Sequence, residues 1–291
     1  MSSAFHLQLL LFTVLGPSGA VGFVIASLFA IFAPKKASWA FRLQRCLLIP
    51  IAVCMVGLVI AATHLGTPRN ALYVLLGAGR SPLSNEMVAT LLFLALAWLF
   101  WLMLATRRMP TTLAKGWLVV ASVAGLAMVA ETALAYSIET IPAWNSPVAP
   151  WMFLFGSVVL GCAVALGTLR TARVEIPRWS WWTVVALQGA GVLGGAVAMV
   201  MFRNDLEGVS SALVDLWSLV PNYELFVGAF SLLGFAAVAS AALGLITIAH
   251  QGQEALSLPP AKWLVASAAF AAFAVVAMRI PFYLLYMTVG L

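Results

Sequence analysis

Long apolar runs separated by short polar stretches dominate the 291-residue chain. The runs lack the period-2 alternation of a membrane-spanning β-strand, and as helices they are long enough to cross the roughly 30 Å hydrocarbon core of a bilayer. Since only helices and closed barrels satisfy every backbone polar group in lipid, the pattern predicts an all-α, polytopic membrane protein. We expect eight transmembrane helices in a single integral-membrane domain over residues 1–291. Their predicted positions are residues 7–33, 44–64, 87–105, 116–136, 151–170, 180–202, 223–249 and 263–288.

Prolines and small polar residues predict details of these helices. Pro17 and Pro50 fall inside predicted helices, and Pro281 falls near the end of the last one. Since proline cannot donate a backbone hydrogen bond, each of them predicts a kink. Ser84 and Asn85 precede the third predicted helix and are the expected caps of its first turn.

Composition excludes an ordinary soluble domain. The chain is 64% hydrophobic and 8% charged, whereas soluble domains carry about 25% charged residues. The net charge of +6 comes from basic residues in short loops, where they set membrane topology, so nucleic acid is not an expected partner. Cys46, Cys54 and Cys162 are widely spaced in apolar surroundings and predict neither a disulfide framework nor a metal site.

The loops differ in charge from one side of the predicted bundle to the other. Those after the first, third, fifth and seventh helices hold eleven basic residues, and the other three hold three. The eleven are Lys35, Lys36, Arg42, Arg45, Arg107, Arg108, Lys115, Arg170, Arg173, Arg178 and Lys262; the three are Arg69, Arg80 and Arg203. Because basic loops stay on the cytoplasmic side, both termini are predicted on the outer, periplasmic face.

The polar stretch 64–86 carries the most promising chemistry. His64 ends the second predicted helix, Arg69 and Arg80 follow, and Glu86 opens the third helix. A histidine and a carboxylate at the mouth of neighbouring helices could bond the two oxygens of a quinol and accept its protons. The alternative is two helix ends, with the histidine and the glutamate each placed favourably in a helix dipole.

Haem and iron–sulfur clusters are not expected on this protein. A b-type haem needs two axial ligands within the bundle, usually histidines. His64 and His6 share the outer side, but His6 precedes the first helix, and His250 lies on the inner side. The sequence also lacks the cysteine cluster that an iron–sulfur centre requires.

Two ionisable residues lie within apolar runs, Glu131 and Arg279. Each follows a lysine on the inner side by a similar number of residues, so both reach nearly the same depth. A structural ion pair is one interpretation, and a role in proton movement is the other.

Several motifs give the protein a resemblance to a known family. The sequences HLQLLLFTVLG (6–16), HLGTP (64–68), SPLSNE (81–86), IPAW (141–144), LVPNY (219–223) and R-IPFYLLYMTVG (279–290) carry it. They resemble the DmsC-type membrane anchor subunits of dimethyl sulfoxide reductases, which belong to the complex iron–sulfur molybdoenzymes. The match runs nearly end to end, and HLG followed by LSNE is its most specific part.

The resemblance implies an eight-helix anchor in the bacterial cytoplasmic membrane, with a menaquinol site at its outer face. His64 is then the key residue of the site, Glu86 supports it, and Gly66 shapes the turn. The family's arginine stands just before an alanine. Here Asn70 takes that place and Arg69 lies one residue earlier.

The resemblance also implies partners and a place in anaerobic respiration. An electron-transfer subunit with 4Fe–4S clusters docks on the periplasmic face, and a molybdopterin subunit beyond it carries out the terminal catalysis. The anchor itself oxidises menaquinol and passes the electrons on. Alternatives are a related complex that reduces quinone, such as a sulfite dehydrogenase, and an anchor without a quinone site. A secondary transporter is less consistent with the sequence, which lacks a clear inverted repeat and paired broken helices.

Overall fold

The computed structural model describes residues 7–34, 36–63, 68–106, 109–207, 216–250 and 258–288. Every regular element in these ranges is helical. The helices are α1 (Leu7–Ile31), α2 (Ala40–Cys46), α3 (Leu48–Ala62), α4 (Pro82–Ala105), α5 (Thr111–Ala135), α6 (Ala149–Thr171), α7 (Arg178–Glu207), α8 (Leu216–Leu219), α9 (Tyr223–His250) and α10 (Ala261–Leu284). Two 3₁₀ segments accompany them, Pro68–Gly77 and Leu285–Thr288.

The eight predicted transmembrane helices are confirmed. In the described ranges, eight helices are long and apolar enough to cross a membrane, with α2 and α3 together forming the second span. The break at Leu47 has a clear cause, since Pro50 has no N–H to donate to the carbonyl of Cys46 one turn earlier. Pro17 and Pro281 lie inside continuous helices, so the kinks expected there stay predictions.

The start of α4 corrects one prediction. Ser81, with extended backbone, is the N-cap residue and Pro82 takes the first turn, so Ser84 and Asn85 lie inside the helix and are not its caps. The side-chain oxygen of Asn85 instead accepts a 2.7 Å hydrogen bond from the backbone N–H of Gly79, which has the positive φ of 77° that this turn requires. Glu86 therefore lies in the second turn of α4 and not, as was predicted, at its start.

Helices α1 and α6 form the centre of the bundle. Of their most apolar stretches, 78% and 72% are buried, more than in any other described span. Helix α1 packs against α3, α5, α6 and α10, and α6 packs against α7 and α10 as well. Close approach of α1 to α3 depends on Gly19, where an added Cβ would lie 2.7 Å from the carbonyl oxygen of Pro50.

Contacts at the two ends show that successive spans alternate in direction. At one end Lys115 donates to the carbonyl of Ala33 and Arg42 to that of Ala172, so cations satisfy carbonyls at helix ends. At the other end Arg203 pairs with Glu224 at 2.7 Å. We call this second end, where α1 begins and α10 ends, the terminal face. Which side of the membrane it faces stays a prediction.

Candidate functional site

The structure describes only some of the predicted site residues. His64 and Gly66 lie outside the described residues, and so does the side chain of Arg69, whose backbone belongs to the 3₁₀ segment Pro68–Gly77. Their roles stay predictions. Glu86 is described, and the candidate site is built from it.

Glu86 is a buried carboxyl without a complete set of partners. It is 2% exposed, in the second turn of α4 from the terminal face. The hydroxyl of Thr132 on α5 lies beside it. Nevertheless, among the described residues neither Oε1 of Glu86 nor Oγ1 of Thr132 has a partner in hydrogen-bond geometry. Buried polar atoms are nearly always bonded, so this pair of oxygens marks a place that a hydroxyl-bearing ligand would satisfy.

Two tyrosines adjoin the carboxyl. Tyr136, at the end of α5, and Tyr283, on α10, are both electrostatic neighbours of Glu86. Both are buried, at 5% and 4% exposure, and their ring centroids lie 5.9 Å apart. The hydroxyl of Tyr283 also lies 3.2 Å from Oγ1 of Thr13 on α1, which in turn donates to the carbonyl of Leu10. Three elements therefore bring hydroxyl groups to one buried place.

An aromatic cluster holds these tyrosines. Tyr136 stacks on Phe153 with ring centroids 4.9 Å apart, and Trp144 stacks on Phe282 at 4.7 Å. The indole N–H of Trp144 donates a 2.8 Å hydrogen bond to the carbonyl of Phe282. The motifs IPAW and IPFYLLY thus meet in one cluster. Sequence reasoning noted both motifs but gave neither a role, so it missed Tyr136 and Tyr283.

Arg279 is fully buried on α10 beside the same cluster. Its Nη2 donates a 3.2 Å hydrogen bond to the carbonyl of Phe153, and its guanidinium carbon lies 3.7 Å from the centroid of the Phe153 ring. Gly156 leaves room for it, since a Cβ there would lie 3.2 Å from Nη2. The guanidinium is therefore held on α6.

The expected ion pair between Glu131 and Arg279 is not formed. The ion pairs found among the described residues are Arg42–Glu175 and Arg203–Glu224. Glu131 is half-buried on α5 and is an electrostatic neighbour of Glu86, whereas Arg279 contacts α6. Equal depth along two helices does not make their side chains point toward each other.

Neither a metal cluster nor a cavity at the terminal face adds to this site. Over the described part of the protein, no group of three histidine, cysteine or acidic side chains could hold a metal ion. A cavity of about 220 Å³ lies between α7 and α9 at the terminal face, lined by Arg203, Glu207, Val220, Asn222, Tyr223 and Glu224. Since α4 and α5 contribute nothing to its lining, it is separate from Glu86.

Comparison with known proteins places this helical bundle in a family. The family model for the DMSO reductase anchor subunit (DmsC) matches residues 1–278. The chain belongs to the DmsC family. It is therefore the membrane anchor subunit of a DMSO reductase-type enzyme, which confirms the resemblance read from its motifs.

Individual relatives agree with this DmsC assignment. The sequence is 30% identical over 215 residues to the YnfH subunit of anaerobic dimethyl sulfoxide reductase from Escherichia coli, covering 74% of each protein. It is 27% identical over 221 residues to the C subunit of the anaerobic dimethyl sulfoxide reductase of Haemophilus influenzae, covering 76% of this protein and 78% of the relative. Identity to the C subunit of the Escherichia coli anaerobic dimethyl sulfoxide reductase is 28% over 225 residues, with 77% and 78% covered.

Proposed function

We propose that this anchor oxidises menaquinol at a site near the terminal face and passes the electrons to an iron–sulfur partner subunit. His64 and Glu86 accept the protons, Gly66 shapes the turn beside them, and Arg69 takes part in binding the quinol. The observation that carries the proposal is the buried Glu86 carboxyl, whose Oε1 has no hydrogen-bond partner. The iron–sulfur clusters and the molybdopterin belong to the partner subunits, and menaquinol is a transient substrate.

The chemistry requires two proton acceptors beside the quinol ring. Oxidation of a quinol to a quinone releases two electrons and two protons. A carboxylate and an imidazole near the two ring oxygens each form an O–H or N–H bond as the quinol O–H bond breaks. The buried surroundings of Glu86 exclude water, which strengthens a hydrogen bond between its carboxylate and the quinol hydroxyl.

The charge distribution supports the placement of the site on the periplasmic side. The basic side chains of Lys115, Arg42 and Arg170 all donate to carbonyls at the face opposite the terminal face. Under the positive-inside rule that opposite face is cytoplasmic. The quinol then gives its electrons and its protons to the same side, where the catalytic partner docks.

Replacement of Glu86 by glutamine tests the proposal. In the purified complex, Glu86→Gln should lower the rate of oxidation of a water-soluble menaquinol analogue by about tenfold, because it removes a proton acceptor but keeps the shape of the side chain. Glu139→Gln is the matched control, since Glu139 is exposed in the connection between α5 and α6. Wild-type rate and affinity in an assembled Glu86→Gln complex would show that the anchor has no quinol site at Glu86.

A further inference from the structure

Arg279 is a buried cation that no carboxylate of the described residues neutralises. It is fully buried, and within the described ranges its polar contacts are the carbonyl of Phe153 and the sulfur of Met278. Its Nε has no partner. A charge inside a membrane protein is costly, and packing alone would be served as well by an apolar side chain. The charge itself therefore calls for a function.

The surroundings of Arg279 lead toward Glu86. The Phe153 ring contacts the guanidinium and also stacks on Tyr136. Tyr283 lies one helical turn further along α10. Both tyrosines are electrostatic neighbours of Arg279, and both are also electrostatic neighbours of Glu86. Each tyrosine is thus an electrostatic neighbour of both a buried cation and a buried acid, which come from opposite halves of the bundle.

We propose that Arg279 is a positioning residue of the quinol site, which acts on Glu86 through Tyr136 and Tyr283. Its positive charge favours the ionised form of the Glu86 carboxyl, the form that accepts a proton from the quinol. The inference rests on the function proposed for Glu86. In the step itself, the quinol O–H bond breaks, an O–H bond forms on Glu86, and the electrons leave for the partner subunit. Arg279 keeps its charge and both tyrosines keep their protons.

Other groups around Glu86 set the direction of the effect. Helix α5 brings the like charge of Glu131 and the hydroxyl of Thr132. Helix α3, which also packs against α4, has no charged residue between Leu48 and Ala62. The exposed Tyr73 and Arg80 belong to the connection that precedes α4, beyond which His64 lies outside the described residues. Under the proposal, Arg279 acts against Glu131 through the two tyrosines, and its removal should make the carboxylate harder to form.

A pH profile separates this role from a structural one. Arg279→Met removes the charge and retains an unbranched apolar side chain. The acid limb of quinol oxidation should then move to higher pH by about one unit, because one nearby charge has an effect of this order on an ionisation. At a pH on that limb the rate falls about tenfold. Arg279→Lys, which restores the charge, should return the limb toward its wild-type position.

A second variant tests the same idea without removing the arginine. In Gly156→Ala the added methyl group meets Nη2 of Arg279 at 3.2 Å and should displace the guanidinium, which gives a smaller shift in the same direction. Gly167→Ala is the matched control on the same helix, because a Cβ at Gly167 has no atom within 4 Å. If Arg279→Met does not accumulate, Gly156→Ala and Tyr283→Phe decide the matter. Tyr283→Phe should also move the acid limb to higher pH, because it removes one of the hydroxyls through which Arg279 acts.

The outcomes distinguish this inference from the proposed function. A wild-type rate in Glu86→Gln overturns the quinol site and the inference together. An impaired Glu86→Gln complex combined with an unshifted acid limb in Arg279→Met, or in Gly156→Ala and Tyr283→Phe, overturns the inference alone. In the double variant Glu86→Gln with Arg279→Met, the acid limb should not move beyond its position in Glu86→Gln, since the group on which the charge acts is gone. An additional shift there would mean that Arg279 acts elsewhere.

Discussion

Two buried ionisable residues near the terminal face, Glu86 and Arg279, show how differently a membrane protein can hold a charge. Both are nearly or fully inaccessible to solvent. Arg279 has a carbonyl at 3.2 Å and an aromatic ring at 3.7 Å, so α6 largely satisfies its guanidinium. Glu86 has an oxygen with no partner, next to a threonine hydroxyl that also has none. Burial alone does not identify a reacting group in a membrane. Glu86 differs from Arg279, whose Nε also has no partner among the described residues, in that two unbonded oxygens lie side by side there.

Buried hydroxyls differ between the two halves of the described bundle. In the second half, the hydroxyls of Ser157 and Thr168 donate to backbone carbonyls. In the first half, the hydroxyls of Ser27, Thr90, Ser122 and Thr132 are buried without partners. We therefore expect the second half to be the rigid scaffold and the first half, around α4, to be the part that binds a ligand.

Removal of His64 should have the largest effect and would establish that the reaction belongs to the first half. His64→Ala should lower quinol oxidation by at least about a hundredfold, because it removes a proton acceptor at a ring oxygen. Assembly with the partner subunits should be intact, as checked by copurification. An assembled His64→Ala complex that turns over at the wild-type rate would show that the histidine has no part in the reaction.

A methyl group at Gly77 should have a smaller effect on the same half. In Gly77→Ala the new Cβ would lie 2.5 Å from Oγ and 3.3 Å from Cβ of the buried Ser84, so we expect the 3₁₀ segment Pro68–Gly77 to shift away from α4. This segment carries Arg69, and its displacement should raise the KM for quinol several-fold while kcat changes little. Gly116→Ala, with open space around the added atom, is the matched control. An unchanged KM in Gly77→Ala would exclude the segment from the site.

The sequence predicted the helices well for a physical reason. Bilayer thickness requires a minimum length of apolar residues, so each span can be recognised from its run alone. The rotation of each helix about its own axis cannot be predicted in this way, because a uniformly apolar run has no polar face that would orient the helix. The predicted pair of Glu131 and Arg279 failed on this point. Their depths agree, but α5 and α10 both pack against α1 and α6 and not closely against each other.

The candidate site was predictable only in part for the same reason. Glu86 was found because a polar stretch interrupts the apolar pattern, whereas its position relative to His64 stays a prediction. Tyr136 and Tyr283 are separated by most of the second half of the sequence. Their encounter depends on how α5, α6 and α10 pack, which hydrophobic periodicity does not specify. The motifs IPAW and IPFYLLY were the available signal.

Two threonines allow the stabilising effect of a hydrogen-bonded hydroxyl to be compared with that of a hydroxyl without a partner. Thr13 and Thr132 are both fully buried, but Thr13 bonds Leu10 and Tyr283 while Oγ1 of Thr132 has no partner. Thr13→Val should destabilise the complex by about 1 kcal/mol through the lost hydrogen bonds. Thr132→Val should leave stability unchanged or raise it, because it removes a polar atom buried without a bond. Thermal unfolding in detergent measures both, and equal losses would mean that Thr132 bonds Glu86 after all.

The last prediction is that the anchor builds up no membrane potential. It concerns the difference between the terminal face and the opposite face. If the terminal face is periplasmic, as the loop charges predict, quinol oxidation releases its protons on the side where reduction of an oxide by the partner consumes them. Build-up of a membrane potential by the anchor would then need proton-carrying groups from Glu86 to the opposite face.

The described helices offer no continuous path of that kind. Between Glu86 and the end of α4, and between Lys115 and Glu131 on α5, the sequence has no acidic, basic or histidine residue. Seven residues after Glu86 along α4, toward the opposite face, Phe93 packs edge-to-face on Phe23. The ring centroids are 5.3 Å apart, and both rings are fully buried. This aromatic pair separates Glu86 and Thr90 from the hydroxyls of Ser122 and Ser27 on the far side. We therefore predict electroneutral turnover. Proteoliposomes supplied with quinol and an oxide should show no uncoupler-sensitive membrane potential. As a positive control, an imposed potassium gradient with valinomycin should produce a measurable potential in the same vesicles. A sustained uncoupler-sensitive potential would require a hydrated path past Phe23 and Phe93, and the contrast between the two faces would not hold.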